Sequence, residues 1–466
     1  MVWKRRRDVV AGEFEGLDLG DPRRSRRALE IAKRLAAEPE ASLPAAMADR
    51  GQLEGLYRHL GSEAVSFAGL LEPHFQKTAR RVAEAGTAYA VHDTTACTFG
   101  GESRRQGLGM VNLKNQGFLA HVTLAVSADG ARLPLGVLAA ELLVRTEPKN
   151  TNRRHAAVRK RDPHKESDRW GHAVESASAR TPEPGTLIHV ADREGDIYEL
   201  MVALRGAGRR FIIRSAQDRA VDVGEVRTYL RQAAQESPTQ FTVEVPLSRR
   251  AKAPWPRSAH PQREGRMAKL SVATTSLDLR KPHASARDLP KSVSVNLVHV
   301  FELFPPRGEP PVEWILLTSE PVAQRAEVEA VIEGYRTRWT VEEYFKAVKT
   351  GCAFEARQLE SFKTLSNLLA YTLVLAYALL LTRALARHPR DMPATELLSP
   401  TEIKVLRLVT RKPLSKEPDV REAMLAVAGL GGHLPSNGDP GWRILSRGWQ
   451  RLRDYEAGFR LARPDL

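Results

Sequence analysis

Cysteine is nearly absent: Cys97 and Cys352 are the two in 466 residues. That excludes a disulfide framework or a cysteine-built zinc site, and it fits a reducing compartment. Long apolar runs are also missing. The longest, "LLAYTLVLAYALLL" from Leu368 to Leu381, is short for a membrane span and suits a buried helix. The opening residues, "MVWKRRRDVV", carry charge but no apolar core segment, so no secretory leader is expected. Acids are in deficit. Lys and Arg total 71 against 56 Asp and Glu, a formal charge of +15 with a pI near 9.9. So basic a chain fits a polyanionic partner, nucleic acid or an anionic membrane. No internal repeat or low-complexity tract is present.

What is there is enough for about three domains. Residues 1–80 read as basic helices. In "LGDPRRSRRALEIAKRLAA", Asp21 is the expected N-cap and Pro22 the first helical residue. Arg23, Arg24, Arg26 and Arg27 crowd the first turns, where phosphate is favoured. From residue 87 the pattern becomes β. "TAYAVHD" reads as a strand ending at Asp93, and "GFLAHVTLAVS" and "ARLPLGVLAAELLV" as two strands joined at "ADG". A basic stretch at 145–165, with Arg153, Arg154, Arg159, Lys160 and Arg161, reads as a loop. A helix near 166–180, the strand "GTLIHVAD" ending at Asp192, a helix near 196–206 and the strand "RRFIIRS" follow. The order β-β-β-α-β-α-β predicts a mixed sheet with helices on it. Residues 216–320 read as a separate β element with a basic, proline-rich loop at 248–268. A helix then carries "YRTRWTVEEYFKAVK", a long apolar helix spans 357–388, and 391–466 is helical with a turn at "GLGGHLPSNGDPG".

Three carboxylates stand out. Asp93 and Asp192 each fall at the end of an apolar strand, and a helix across the sheet can bring Glu342 to the same edge. Three such groups repel unless a cation neutralises them, and hard oxygen donors favour Mg²⁺ or Mn²⁺. Each has a plainer reading: Asp93 as a turn cap, Asp192 as a helix cap and Glu342 as a member of solvated i,i+4 pairs with Arg338 and Lys346. Asp196 competes with Asp192 and is the expected N-cap of the following helix. His92 points away from Asp93 and reads as core. At about 100° per residue, Tyr335, Arg338, Glu342 and Lys349 fall within an arc of roughly 60° on one helix, beside an apolar arc of Val341, Tyr344, Phe345 and Val348. Trp442, Trp449, Tyr455 and Phe459 form an apolar stripe that would serve either an intermolecular contact or an internal core.

With these residues in place, the chain resembles the DDE transposases of the insertion-sequence-four group, and most closely the transposon-five type of cut-and-paste enzyme. The resemblance runs from "LGDPRRSRRALEIAKRLA" and "YRHL" through "HDTT", "DREGDIYE", "RRFIIRS" and "WILLTSEPV" to "YRTRWTVEEYFKAVKTG", "GLGG" and "GW". The signature Y-x2-R-x3-E-x6-K is met by Tyr335, Arg338, Glu342 and Lys349. Loops 145–165 and 248–268 depart from the family.

The resemblance implies an α/β fold: an RNase H-like mixed-sheet catalytic core over 81–388 with a β-rich insertion at 216–320. A helical N-terminal DNA-binding domain, 1–80, would precede it, and a helical C-terminal dimerisation domain, 389–466, would follow. It implies two Mg²⁺ ions, replaceable by Mn²⁺, on Asp93, Asp192 and Glu342, and transposon-end phosphates on Tyr335, Arg338, Lys349 and Arg214. Trp314 would receive a flipped base. The implied partners are double-stranded DNA, both element ends and target, and a second copy of the chain, with no membrane. The implied location is the bacterial cytoplasm, on the nucleoid. Strand cleavage through a hairpin, then strand transfer by the 3′-OH, is the implied chemistry. A non-cutting regulator or a nuclease without strand transfer is the alternative.

Overall fold

Caps and apolar periodicity set most of the element boundaries in the computed structural model. It describes residues 6–463 apart from 48, 102–103, 113, 146–165, 182, 184, 248, 250–261, 284, 286–287, 388–391, 435 and 437. The basic loop at 146–165 and most of the proline-rich loop therefore lie outside the described residues. The chain forms two compact units. One comprises 1–88, 93–181 and 339–466; the other comprises 89–92 and 182–338.

The first unit opens with five helices: α1 (Arg6–Glu13), α2 (Pro22–Ala37), α3 (Leu43–Met47), α4 (Arg50–Gly61) and α5 (Phe67–Ala85). Asp21 caps α2 by accepting from the Arg23 amide at 2.7 Å, with Pro22 in the first turn as expected. Its strands are β1 (Ala88–Phe99), β2 (Gly109–Met110), β3 (Gln116–Ser127) and β4 (Pro134–Leu143). β3 lies between β2 and β1, and β4 pairs antiparallel with β3 across the Gly130 turn. β1 runs on past Asp93. "TTACTF" keeps the β-branched, alternating pattern of a strand, so Asp93 is inside a strand and not at its tip.

Helix α6 (Arg169–Arg180) follows, and the chain returns to this unit with α10 (Trp339–Lys346), α11 (Phe362–Arg387), α12 (Pro400–Val409), α13 (Val420–Leu430) and α14 (Trp442–Ala462). Helix α11 is apolar on every face and buried through most of its length, as an all-round hydrophobic helix requires. By length and composition it could cross a membrane, with mean hydropathy 1.8, yet 78% of its apolar window is buried within the fold. It packs on α1, α4, α5 and β4. The N-terminal helices therefore share a core with the residues after 338, and the compact units do not follow the expected boundaries at 80 and 388.

The second unit holds β5 (Leu187–Ala191), α7 (Tyr198–Gly206), β6 (Arg210–Arg214), β7 (Ala220–Val223), β8 (Val226–Tyr229), α8 (Leu230–Glu236), β9 (Thr239–Leu247), β10 (Arg266–Arg280), β11 (Ser292–Phe301), β12 (Glu313–Thr318) and α9 (Arg325–Thr337). The strand order is β1, β5, β6, β12, β11, β10, β7, β8, with β9 on β10. β5 and β6 are parallel, whereas β12 joins β6 antiparallel through Arg214↔Leu316. Residues 216–320 are thus not a separate β element. β12 covers the edge of β6, whose backbone donors and acceptors would otherwise lack strand partners, and β11 and β10 continue the same sheet.

Candidate nucleic-acid interface

In the second unit, Asp192 directly follows β5, and its Oδ1 accepts from the Glu194 amide at 2.8 Å. It therefore caps the short turn Arg193–Gly195 while remaining partly exposed. Asp196 has a different role from the expected N-cap, since Ile197 holds that position on α7. It is buried, pairs with Arg219 at 2.9 Å and accepts from the amides of Ala216 and Gln217 at 2.7 and 3.0 Å. Those bonds fasten the chain leaving β6.

Four of the expected DNA contacts gather in this unit. Helix α9 lies so close to the sheet that a Cβ at Gly334 would come within 2.7 Å of Ile212 and Tyr89 side-chain atoms. This seats Tyr335 against β6 and β12. Its hydroxyl accepts from Arg214 at 3.4 Å, its ring centroid is 5.6 Å from that of Trp314, and the Arg338 guanidinium is 5.9 Å from the ring centre. Arg214 also donates to the Glu313 carbonyl at 2.8 Å. Trp314 is only 5% exposed, so the packing role is the one it fills in this structure.

Arg193, not singled out from sequence, joins this group. The like charge of Arg214, followed by partial burial, lowers its pKa, while Tyr335 and Asp192 oppose the shift. Crowded guanidiniums of this kind are relieved by an anion. Its place directly after Asp192 was the available signal.

In the first unit, Asp93 Oδ1 accepts from the Thr94 amide at 2.7 Å. The Thr94 hydroxyl is bonded to His121 Nδ1 at 2.8 Å and to Arg169 Nε at 2.9 Å, which fixes the strand beside Asp93. Glu342 is exposed on α10. Lys346, expected to pair with Glu342, is bonded to Glu343 at 2.8 Å, and Glu343 also takes Arg383 at 2.6 Å. The single helix expected over 335–349 is three pieces. Helix α9 stops at Thr337 with Arg338 as its cap, α10 runs to Lys346, and Ala347–Gly351 is a π-helical turn. The 60° arc therefore does not extend to Lys349, because the wider π turn resets the angular step. Lys349 donates to the Ala96 carbonyl at 2.6 Å and faces Glu355 at 3.4 Å.

Of the four arginines on α2, Arg23 and Arg26 are exposed. Arg24 donates to the Leu19 carbonyl at 2.5 Å and Arg27 to Gln52 at 2.9 Å. The C-terminal stripe divides similarly. Trp442 and Trp449 are buried; Trp449 belongs to the core formed by α12–α14, and Phe459 packs against it, while Tyr455 is exposed. Three of the four residues thus serve packing within the chain.

Carboxylate oxygens are the donors a hard divalent ion takes, so the chemistry of Asp93, Asp192 and Glu342 fits magnesium. Among the described residues, however, no group of three or more His, Cys, Asp or Glu is gathered to hold a metal ion. Asp93 and Glu342 belong to the first unit and Asp192 to the second.

Comparison with known proteins finds two family matches. Residues 6–65 match the transposase DNA-binding family and residues 148–379 the transposase DDE domain family. One similar solved structure is a piggyBac transposase synaptic complex with hairpin DNA. It is 8% identical, with 95% of this chain and 72% of that chain covered and a TM-score of 0.33, too low to carry an argument. The two matches together span more than half of the sequence, and they give the chain a transposase DNA-binding region ahead of a transposase DDE domain.

Proposed function

We propose that the protein is a cut-and-paste DNA transposase of the insertion-sequence-four, transposon-five type. The observation that carries this reading is the group of Arg193 after β5, Arg214 on β6, Tyr335 on α9 and Arg338 at its cap, all within the DDE match; the resemblance assigns the last three to DNA. Arg214 offers forked donors to phosphate oxygens; Arg338 and the Tyr335 hydroxyl, 9% and 3% exposed, add theirs only if DNA binding uncovers them. Lys349 adds a compact positive charge in the other unit. Arg23 and Arg26 take backbone phosphates along the DNA-binding region. Trp314 stacks on an extruded base only if DNA binding uncovers its ring.

Asp93, Asp192 and Glu342 would hold two Mg²⁺ ions. When bound, such ions polarise a phosphodiester for in-line displacement. The proposed catalytic core is RNase H-like, and the proposed assembly is a dimer pairing two element ends, on the nucleoid.

The test is to search the DNA flanking the gene for inverted repeats and to measure cleavage and strand transfer on DNA carrying them, with Mg²⁺, comparing wild type with Asp93→Ala. Wild-type nicking, a hairpin on the element end and joining to target, all lost in the variant, are expected. Specific end binding without cleavage by the wild type would instead identify a regulator. Cleavage without joining would identify a nuclease.

A further inference from the structure

Glu355 ties two parts of the first unit together. It sits in a short helical turn, Phe354–Ala356, after the π turn that carries Lys349. One oxygen, Oε1, accepts from the Thr98 amide at 2.7 Å and from the Thr98 hydroxyl at 2.8 Å, and it faces Lys349 Nζ at 3.4 Å. Lys349 in turn donates to the Ala96 carbonyl at 2.6 Å. The strand that receives both contacts is β1, which holds Asp93 three residues before Ala96, on the order of 10 Å along the strand. The turn that supplies them continues α10, which holds Glu342. The side chains of Lys349 and Glu355 keep 31% and 27% of their exposure, so solvent reaches both.

We infer that Glu355 is a positioning residue for DNA cleavage: it holds the Lys349 ammonium against β1 and aims its remaining N–H at a DNA phosphate. The inference rests on the proposed transposase function. An ammonium has three donors. Ala96 takes one, Glu355 faces a second, and the third is left to point away from the strand. A free lysine on a flexible stem would sample many positions and hold a phosphate loosely. The bonds to Thr98 matter because they fix the carboxylate itself: a carboxylate held by a backbone amide cannot swing with the lysine. The Lys349–Glu355 pair is too exposed to contribute much stability on its own. Its effect is on direction, not on folding.

Glu355→Gln keeps an acceptor for Thr98 and removes the charge that holds Lys349. Two readouts are taken on the full chain. The first is single-turnover cleavage of element-end DNA with Mg²⁺ at saturating DNA, run as a cycle of Glu355→Gln, Lys349→Gln and the double variant. Glu355→Gln is expected to cut about tenfold more slowly, of the order that small misplacements produce, with end-DNA affinity changed less than threefold. It is expected to have no further effect once Lys349 is removed. An equal loss from Glu355→Gln in both backgrounds would overturn the inference, as would wild-type cleavage by the single variant.

The second readout does not depend on cleavage: the rate at which an amine-acylating reagent modifies Lys349, followed by mass spectrometry. Glu355→Gln should raise it severalfold, with other lysines unchanged; an unchanged rate at Lys349 overturns the inference. A wild-type protein that binds ends but cuts nothing would defeat the proposed function alone, and the labelling result would then decide the role of Glu355.

Discussion

His92 and His189 make the second unit sensitive to mild acid. His92, on β1, and His189, on β5, are buried, with Nε2 of the first 2.9 Å from Nδ1 of the second and the rings stacked at 5.2 Å. Burial, aided by the neighbouring imidazole, holds His92 well below the ordinary histidine value, and burial with Arg209 nearby lowers His189 to about 3. Both are therefore neutral in the fold at pH 5, while the unfolded chain takes up a proton at each near pH 6.5. The unfolded state binds more protons, so stability is greatest at neutral pH and falls as pH drops below 6.5. Between pH 7 and 5 each histidine contributes a loss of about 2 kcal/mol, or about 4 kcal/mol for the pair. That is a large share of the roughly 5–15 kcal/mol typical of a folded domain.

The assay is hydrogen exchange of peptides covering β5 and β6 in a urea series, repeated from pH 7 to 5. Changing both residues to Asn should remove most of the slope in these peptides. A protection free energy for the wild type that stays flat over this range would refute the reasoning, as would a His189 imidazole titrating near 6.5 by NMR.

Three other outcomes are expected. Glu13 is paired with Arg81 at 2.8 Å and bonded to His74 at 2.5 Å, and these contacts outweigh burial to hold its pKa well below normal; Glu13→Gln should cost on the order of 3 kcal/mol in urea unfolding by leaving Arg81 buried without its counter-charge. A Cβ at Gly448 would lie 2.0 Å from the Val427 carbonyl oxygen, so Gly448→Ala should separate α13 from α14 and destabilise by about 1–3 kcal/mol, read as a lowered melting temperature. Arg23→Ala with Arg26→Ala should weaken DNA binding across sequences and reduce the salt slope of log K by about two, whereas Arg24→Ala with Arg27→Ala should reduce it less, because those side chains already have partners within the chain.

Local chemistry was legible in the sequence where one residue decides the structure. Asp21 and Pro22 start α2, Asp192 ends β5, and the run from Leu368 to Leu381 is a buried helix. The misreadings share a cause, since each depended on contacts far along the chain. Asp93 looked like a strand end because a polar residue follows an apolar run, yet Thr94 is bonded to His121 and Arg169, and the strand continues. The line from Tyr335 to Lys349 assumed an unbroken helix, and no local signal marked the π turn at Ala347. Residues 216–320 looked self-contained because the sequence does not tell which strand edge β12 completes. Arg193 and Glu355 gain their meaning from Arg214 and from Thr98 with Lys349, partners that spacing alone does not identify.

The chain leaves and re-enters each compact unit, so neither unit is encoded by one continuous stretch. During synthesis, the faces of α5 and β4 that α11 covers must wait more than two hundred residues for their partner to leave the ribosome. Nascent protein of this design carries an uncovered greasy surface until late in translation. A copy of the gene cut short before α11 would yield neither a working half nor an inert one, but a polypeptide prone to clumping and destined for the cell's proteases.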